Sequence, residues 1–268
     1  MIETAYAKLN LALHVRHKRD DGYHELETLF AFVDAGDELS ARPARQDELR
    51  TVGPFAPQLT EPFGNIVSKA LQALPHGLGW AVTLEKNLPV AAGLGGGSAD
   101  AGAVFRMVEA QYGLPADWPE RAARLGADVP ACVRSVICIG RGTGTDLSEI
   151  ASNLAGSPVL LVNPRVPLAT GPVFAGWDGI DRGALPDGSV REIALAGRND
   201  LEPSAIALCP AIVPVLTALR DTSPLLARMS GSGATCFALY ETAEQRDAAT
   251  LAIKAANPDW WTMSVNLR

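Results

Sequence analysis

Between residues 88 and 100 the chain reads LPVAAGLGGGSAD, and four of these residues, Gly93, Gly95, Gly96 and Gly97, have the chemistry of an anion-binding loop. Glycine carries no Cβ to obstruct a ligand and accepts positive φ, so successive backbone N–H groups can converge on one phosphate. Ser98 follows as the expected helix N-cap, its hydroxyl accepting from a first-turn N–H. The unpaired N–H groups of that turn, with the helix dipole behind them, suit a polyphosphate. The loop lacks the Lys-Ser/Thr ending of a Walker A motif, and its spacing is not the G-x-G-x-x-G of a dinucleotide fold.

Two other places carry polar groups in a useful pattern. Residues 5–15 alternate strictly, with Ala5, Ala7, Leu9, Leu11, Leu13 and Val15 on one face and Tyr6, Lys8, Asn10, Ala12 and His14 on the other. Strand periodicity therefore points Lys8 and Asn10 the same way from a rigid element, although the same pattern describes the wet face of any half-buried strand. Asp128 stands before Val129-Pro130, where an Asp on its own reads as a cap or turn former.

The elements that must hold these groups are legible in outline. A strand over 80–85 runs into the glycine loop, and an apolar helix over 99–112 leaves it and stops at Gly113. A charged turn over 16–22 makes a hairpin with a strand at 29–33. Asn65 caps a helix that runs to Leu74, and further helices are expected at 118–125, 199–208, 212–220 and 243–256. Strands are expected at 136–139, 159–162 and 261–266, and residues 227–240 read as strand, small-residue loop and strand. Residues 41–64 give little signal, and 176–197 read as a variable loop.

With 268 residues, 47% of them apolar, and a net charge of −7, the chain is expected to form a folded protein with a proper core and one or two domains. An acidic chain without a Lys/Arg-rich run excludes nucleic acid and anionic membrane as natural partners, so a phosphate ligand must be held by local geometry. Cys132, Cys138, Cys209 and Cys236 show neither a C-x-x-C pair nor metal-ligand spacing and read as reduced core thiols. With no apolar run of spanning length and no leader pattern, a cytoplasmic protein without membrane attachment is expected, and the sequence is compatible with a homo-oligomer.

The loop from Pro89 through Gly93-Leu94-Gly95 to Ser98 resembles the second motif of the galactokinase, homoserine kinase, mevalonate kinase and phosphomevalonate kinase (GHMP) superfamily. Its other two motifs follow suit in order, at Ala7-Lys8-Leu9-Asn10-Leu11 and at Met229-Ser230-Gly231-Ser232-Gly233-Ala234. The doubled Gly96-Gly97, where most branches carry Ser, together with DGYHELETLF, LGADVPACV and RNDLEP, is similar to the 4-diphosphocytidyl-2-C-methyl-D-erythritol kinase branch over nearly the whole chain except 41–64 and 176–197.

The resemblance implies an ATP-dependent kinase acting on the 2-hydroxyl of the methylerythritol moiety, with Mg²⁺, in non-mevalonate isoprenoid biosynthesis. It implies an α+β fold of two domains, ribosomal-protein-S5-like over 1–154 and ferredoxin-like over 155–268, with the active site in the cleft between and the last strand able to return to the first domain. Carried over by residue, Asp128 is the base and Lys8 its neighbour at the attacking hydroxyl. A carboxylate beside a cation stays ionised and can take the hydroxyl proton. ATP falls to Pro89, Val90, Ala91, Ala92, Gly93, Leu94, Gly95, Gly96, Gly97, Ser98 and Ala99, with Asn65 at the adenine end. Tyr23 and His24 match the residues that recognise the cytidine diphosphate group of the substrate, Phe174 the ring stacked on cytosine, and Asn10 a substrate-orienting group. No residue matches the metal-ligating Glu of the mevalonate and homoserine kinases. Ser98 and Asp100 are the candidates, Asp100 being equally suited to the helix N-terminus.

Overall fold

The computed structural model describes residues 1–59 and 65–268, so residues 60–64 of the weakly patterned segment lie outside the described residues. Two compact units emerge, one of Met1–Lys8, Ala35–Val90 and Gly95–Ser135, the other of Leu9–Asp34, Ala91–Leu94 and Val136–Arg268. Two long strands, β1 (Ile2–Lys18) and β2 (His24–Ala44), each begin in one unit and end in the other. The hairpin is as expected, but its turn is shorter than 16–22 because Arg16, His17 and Lys18 continue β1; it is closed by Arg19 N–H to Tyr23 O at 2.8 Å and Gly22 N–H to Arg19 O at 3.1 Å.

In the first unit, the second half of β2 pairs antiparallel with β4 (Gly79–Glu85), which pairs parallel with β3 (Glu48–Val52). A parallel pair needs a crossover, and the crossover here contains α1 (Ile66–Ala73). Asn65 caps that helix as expected, its Oδ1 accepting from Val67 N–H at 2.9 Å. Helix α2 (Gly96–Tyr112) packs against α1, α3 (Trp118–Leu125) and α4 (Val129–Arg134). Gly102 makes the closest of these contacts tolerable: a Cβ there would sit 2.6 Å from the main chain of Cys132 on α4.

In the second unit, the first half of β2 pairs with β5 (Cys138–Gly142), and β5 with β6 (Asp146–Glu149). Strands β7 (Pro158–Asn163), β8 (Leu226–Met229), β9 (Cys236–Leu239) and β10 (Trp261–Asn266) form an antiparallel sheet in the order β10-β7-β9-β8. Helix α8 (Ile212–Asp221) follows β7 and α9 (Ala243–Ala256) follows β9, both packing on this sheet. That βαββαβ order is ferredoxin-like. Val162, Leu168, Ile212, Val215, Leu219 and Ile253 join one buried cluster over the sheet. Each such side chain contributes about 1.5–3 kcal/mol of burial free energy.

Several elements differ from the sequence reading. Both faces of β1 are buried: Lys8 is 4% exposed, Asn10 2% and His14 0%, so the polar face is not a wet one. Helix α7 (Glu202–Leu208) begins three residues later than expected, because Asn199 is used as a turn residue, its Oδ1 taking Leu201 N–H at 3.0 Å. Within 176–197 lies α6 (Val190–Ala196), started by a reciprocal capping box between Ser189 and Glu192. Short elements that escaped the pattern include β3, β6, α4 and α5 (Thr170–Ala175). All four cysteines are free and buried, and burial pushes the Cys138 thiol up to about 12.

Candidate active site

Lys8 and Asp128, 120 residues apart in sequence, form an ion pair, Nζ to Oδ2 at 3.1 Å. The lysine side chain is 5% exposed and the aspartate 33%. Asp128 occupies the N-cap position of α4, yet its carboxylate accepts no capping hydrogen bond. The cap reading that its sequence context favours is therefore replaced: the position belongs to the helix start, the side chain to Lys8. What fixes that position is α4's seat on α2. Arg106 on α2 donates from Nη1 to Cys132 O at 2.6 Å and from Nη2 to Thr4 O at 2.7 Å, so it satisfies the end of α4 and ties it to β1.

The glycine loop lies against this pair. Gly95 takes φ 61° and is the cap residue of α2, which begins at Gly96. Ser98 is thus not the N-cap but the third helical residue, because a left-handed glycine turns the chain into the helix three residues sooner. A Cβ on Gly95 would stand 3.0 Å from Lys8 Cε and 3.7 Å from Asp128 Oδ2. Gly97 differs, since its added Cβ would meet only Ile66 at 3.6 Å. Leu88 and Leu94, 0% and 1% exposed, anchor the loop, and the N–H of Val90 donates to Gln58 Oε1 at 3.1 Å. Beneath Gly96 lies a buried group absent from the sequence reading, Lys86 between Asp37 and Asp100. Asp100 gives its Oδ2 to Lys86 and is 3% exposed, with its Oδ1 lacking a hydrogen-bond partner among the described residues.

In the second unit, Asn10, Gly93 and Ser230, one from each recognised motif, meet at one hydroxyl. Ser230 Oγ accepts from Asn10 N–H at 3.2 Å and donates to Gly93 O at 2.9 Å. Gly93, at φ 77°, has no room for a Cβ, which would lie 2.3 Å from Ser230 O. Thr235 N–H adds a bond to Ala92 O at 3.1 Å. Asn199 holds the Ser230 loop by donating from Nδ2 to Met229 O and Gly231 O, both at 2.8 Å. The Asn10 side chain is oriented by a relay: Thr28 Oγ1 donates to Ala12 O and accepts from Asn10 Nδ2, each at 2.7 Å.

His24 packs on Phe174, ring centroids 5.2 Å apart, and meets Trp177 edge-on at 5.7 Å. Burial, and then the charge of Lys18, hold its imidazole below the ordinary value, so the ring is neutral near pH 7 and presents one donor and one acceptor nitrogen. Tyr23 next to it is 63% exposed. The resemblance assigned His24 and Phe174 to one ligand, and the two rings are neighbours; Trp177, Thr28, Asn199, Ser230 and Lys86 carried no role in it. Asn199 and Ser230 had a signal, since both lie in runs shared with the resembling family. Lys86 had none beyond being a charge before a phosphate-type loop.

The description "GHMP kinases N terminal domain" matches residues 65–136 and "GHMP kinases C terminal" matches 183–259. A 4-diphosphocytidyl-2-C-methyl-D-erythritol kinase from Novosphingobium aromaticivorans is 71% identical over 266 residues, covering 99% of this chain and 92% of the relative. Its namesake from Erythrobacter litoralis is 63% identical, with 99% of each covered. The crystal structure of a 4-(cytidine 5'-diphospho)-2C-methyl-D-erythritol kinase superposes with TM-score 0.82 at 32% identity, over 99% of both chains. A homoserine kinase from Cytophaga hutchinsonii, at TM-score 0.67 and 18% identity over 97% of this chain and 95% of its own, shares the fold. The chain belongs to the GHMP kinases and, within that class, to the 4-diphosphocytidyl-2-C-methyl-D-erythritol kinases.

Proposed function

We propose that the chain transfers the γ-phosphoryl group of ATP to the 2-hydroxyl of 4-diphosphocytidyl-2-C-methyl-D-erythritol, with Asp128 as proton acceptor and Lys8 beside the reacting oxygen. The observation that carries this assignment is the Lys8–Asp128 pair, held against Gly95 with its carboxylate unused as a cap. As the hydroxyl oxygen bonds to the γ-phosphorus, its proton passes to Asp128, and the bond from that phosphorus to the bridging oxygen breaks to release ADP. Lys8 holds the carboxylate through their ion pair and offsets charge on the phosphoryl oxygens. Most of the acceleration in such transfers comes from positioning and electrostatics.

In this reading residues 89–99 form the phosphate site, using the backbone N–H groups at the start of α2, with Asn65 at the adenine end. Asn65 Oδ1 accepts from Val67 N–H, so a ligand would meet its Nδ2. His24 reads the cytosine edge, Phe174 stacks, Tyr23 flanks them, and Asn10 orients the acceptor. Residues 1–154 would supply the catalytic half and 155–268 the substrate-side half. Mg²⁺ reaches such sites bound to phosphates and keeps several waters. Among the described residues no group of three or more His, Cys, Asp or Glu side chains could hold a metal; an ion brought by ATP would be met by Ser98. It would neutralise phosphate charge.

An ATP-consumption assay against 4-diphosphocytidyl-2-C-methyl-D-erythritol, homoserine and mevalonate in parallel tests the reading. Turnover confined to the first is expected. Turnover of either other alcohol at a similar rate overturns the substrate, and none with any overturns the enzyme.

A further inference from the structure

Lys86 sits just past β4, where the chain enters the glycine loop, and its side chain is 3% exposed. It donates to Asp37 Oδ2, on β2, and to Asp100 Oδ2, on α2, the latter at 2.8 Å. Both carboxylates are as deeply buried, at 0% and 4%. The Lys86 main chain is pinned independently, its N–H to Val52 O at 2.8 Å and its carbonyl accepting from Phe55 N–H at 3.1 Å. Asp37 Oδ1 takes the N–H groups of Asn87 and Leu88, at 2.6 and 2.9 Å. So one carboxylate fixes the first residues of the loop and the other lies beyond its last glycine. A Cβ on Gly96 would stand 3.5 Å from Lys86 Nζ and 3.6 Å from Asp37 Oδ2, which places the group directly under the start of α2.

We propose that Lys86, clamped between Asp37 and Asp100, is the positioning residue of the phosphate loop, an ionic staple that joins residue 86 to residue 100 and thereby fixes how the first N–H groups of α2 are presented to ATP. This rests on the reading of the glycine loop as the phosphate site. Burying three ionisable groups is costly, and an apolar trio of similar volume would serve stability as well or better. The presence of the trio is therefore explained by geometry rather than by stability. Asp100 shows the cost: its Oδ1 is buried with no hydrogen-bond partner among the described residues. Burial above all, despite Lys86 and with Asp37 adding to it, raises the Asp100 carboxyl well above the usual carboxylate range. Lys86 itself is lowered by burial but raised further by Asp100 and Asp37, and stays charged.

ADP binding by calorimetry, KM for ATP, KM for the acceptor and thermal melts would be measured on wild type, Lys86→Met, Asp100→Leu, Asp100→Asn and the Lys86→Met/Asp100→Leu double variant. Lys86→Met and Asp100→Leu should each weaken ADP binding and raise KM for ATP about tenfold or more, as small misplacements of a site do. KM for the acceptor should hold within about twofold, and the double variant should be no worse than the poorer single one, since both remove one bond. Asp100→Asn keeps an acceptor oxygen for the ammonium and should recover binding to within about threefold. If Lys86→Met does not fold, the Leu and Asn variants at 100 decide. A cooperative melt at lower temperature with nucleotide affinity unchanged overturns the staple, as does an equal loss on both substrates. Wild-type protein that binds neither ADP nor ATP overturns the reading of the loop, and this proposal with it.

Discussion

Replacing Asp128 by Asn separates its chemistry from its architecture. The side chain is nearly isosteric, keeps an oxygen toward Lys8 Nζ, 3.1 Å away in the wild type, and removes no cap from α4 because none is made. With the aspartate 33% exposed, the pair is partly screened, and its loss should cost about 1 kcal/mol of stability or less. An amide cannot take the hydroxyl proton at neutral pH. The barrier should then rise by about 3–5 kcal/mol, lowering kcat by about two to four orders of magnitude. Affinity for ATP should change by less than about threefold, since the loop N–H groups are untouched. Steady-state turnover, calorimetric ATP binding and a thermal melt on the same preparation read all three quantities. Turnover surviving within about tenfold would refute the base assignment and favour a largely dissociative transfer that needs no strong base.

Gly95→Ala should lower kcat and weaken ATP binding far more than Gly97→Ala, because only the former forces a Cβ onto Lys8 at 3.0 Å from a residue at φ 61°; equal effects in nucleotide titrations would remove the loop's special contact with the pair. His24→Ala should lower kcat/KM on the full substrate much more than on methylerythritol 4-phosphate, since stacking and edge contacts contribute about 1–3 kcal/mol each and only the full substrate has a base; equal losses on both would show that His24 merely supports the hairpin. His14, 0% exposed, donates from Nδ1 to Gly183 O and Ala184 O and accepts Arg198 N–H at Nε2, so the folded ring is neutral. Burial first, then Arg198, hold it below 6.5; the unfolded chain binds the extra proton, so its contribution is present above 6.5 and is lost as pH falls from there toward the folded value. Wild type should therefore lose more melting temperature than His14→Gln between about pH 7.5 and about pH 5.5, and parallel losses would exclude this ring as the cause.

What the sequence made legible were elements with strong local chemistry. α9 was delimited from 243 to 256, α1 by its Asn cap, and the glycine loop by composition. Elements set by tertiary partners escaped: α4 is six residues long and exists because Gly102 and Arg106 of α2 receive it. The burial of Lys8 could not be read from alternation, which reports a period and not what covers each face. Nor could Lys86, whose two partners lie 49 residues before it and 14 after, with no motif to join them. The Lys8–Asp128 pairing came from family resemblance; no spacing rule connects residues 8 and 128.

The single hydroxyl of Ser230 bears on how relatives of this chain can be recombined. Because it joins residue 10 to residue 93 through its own two hydrogen bonds, a chimera with any crossover between 10 and 230 assembles this junction from two parents. Such hybrids should remain sound only where both parents supply a hydroxyl at 230 and glycine at 93. Breakpoints after residue 235, where β9 starts, therefore leave this junction to one parent and divide only the β7–β9, β8–β9 and β7–β10 pairings, whereas the three motifs before it are best inherited as one block.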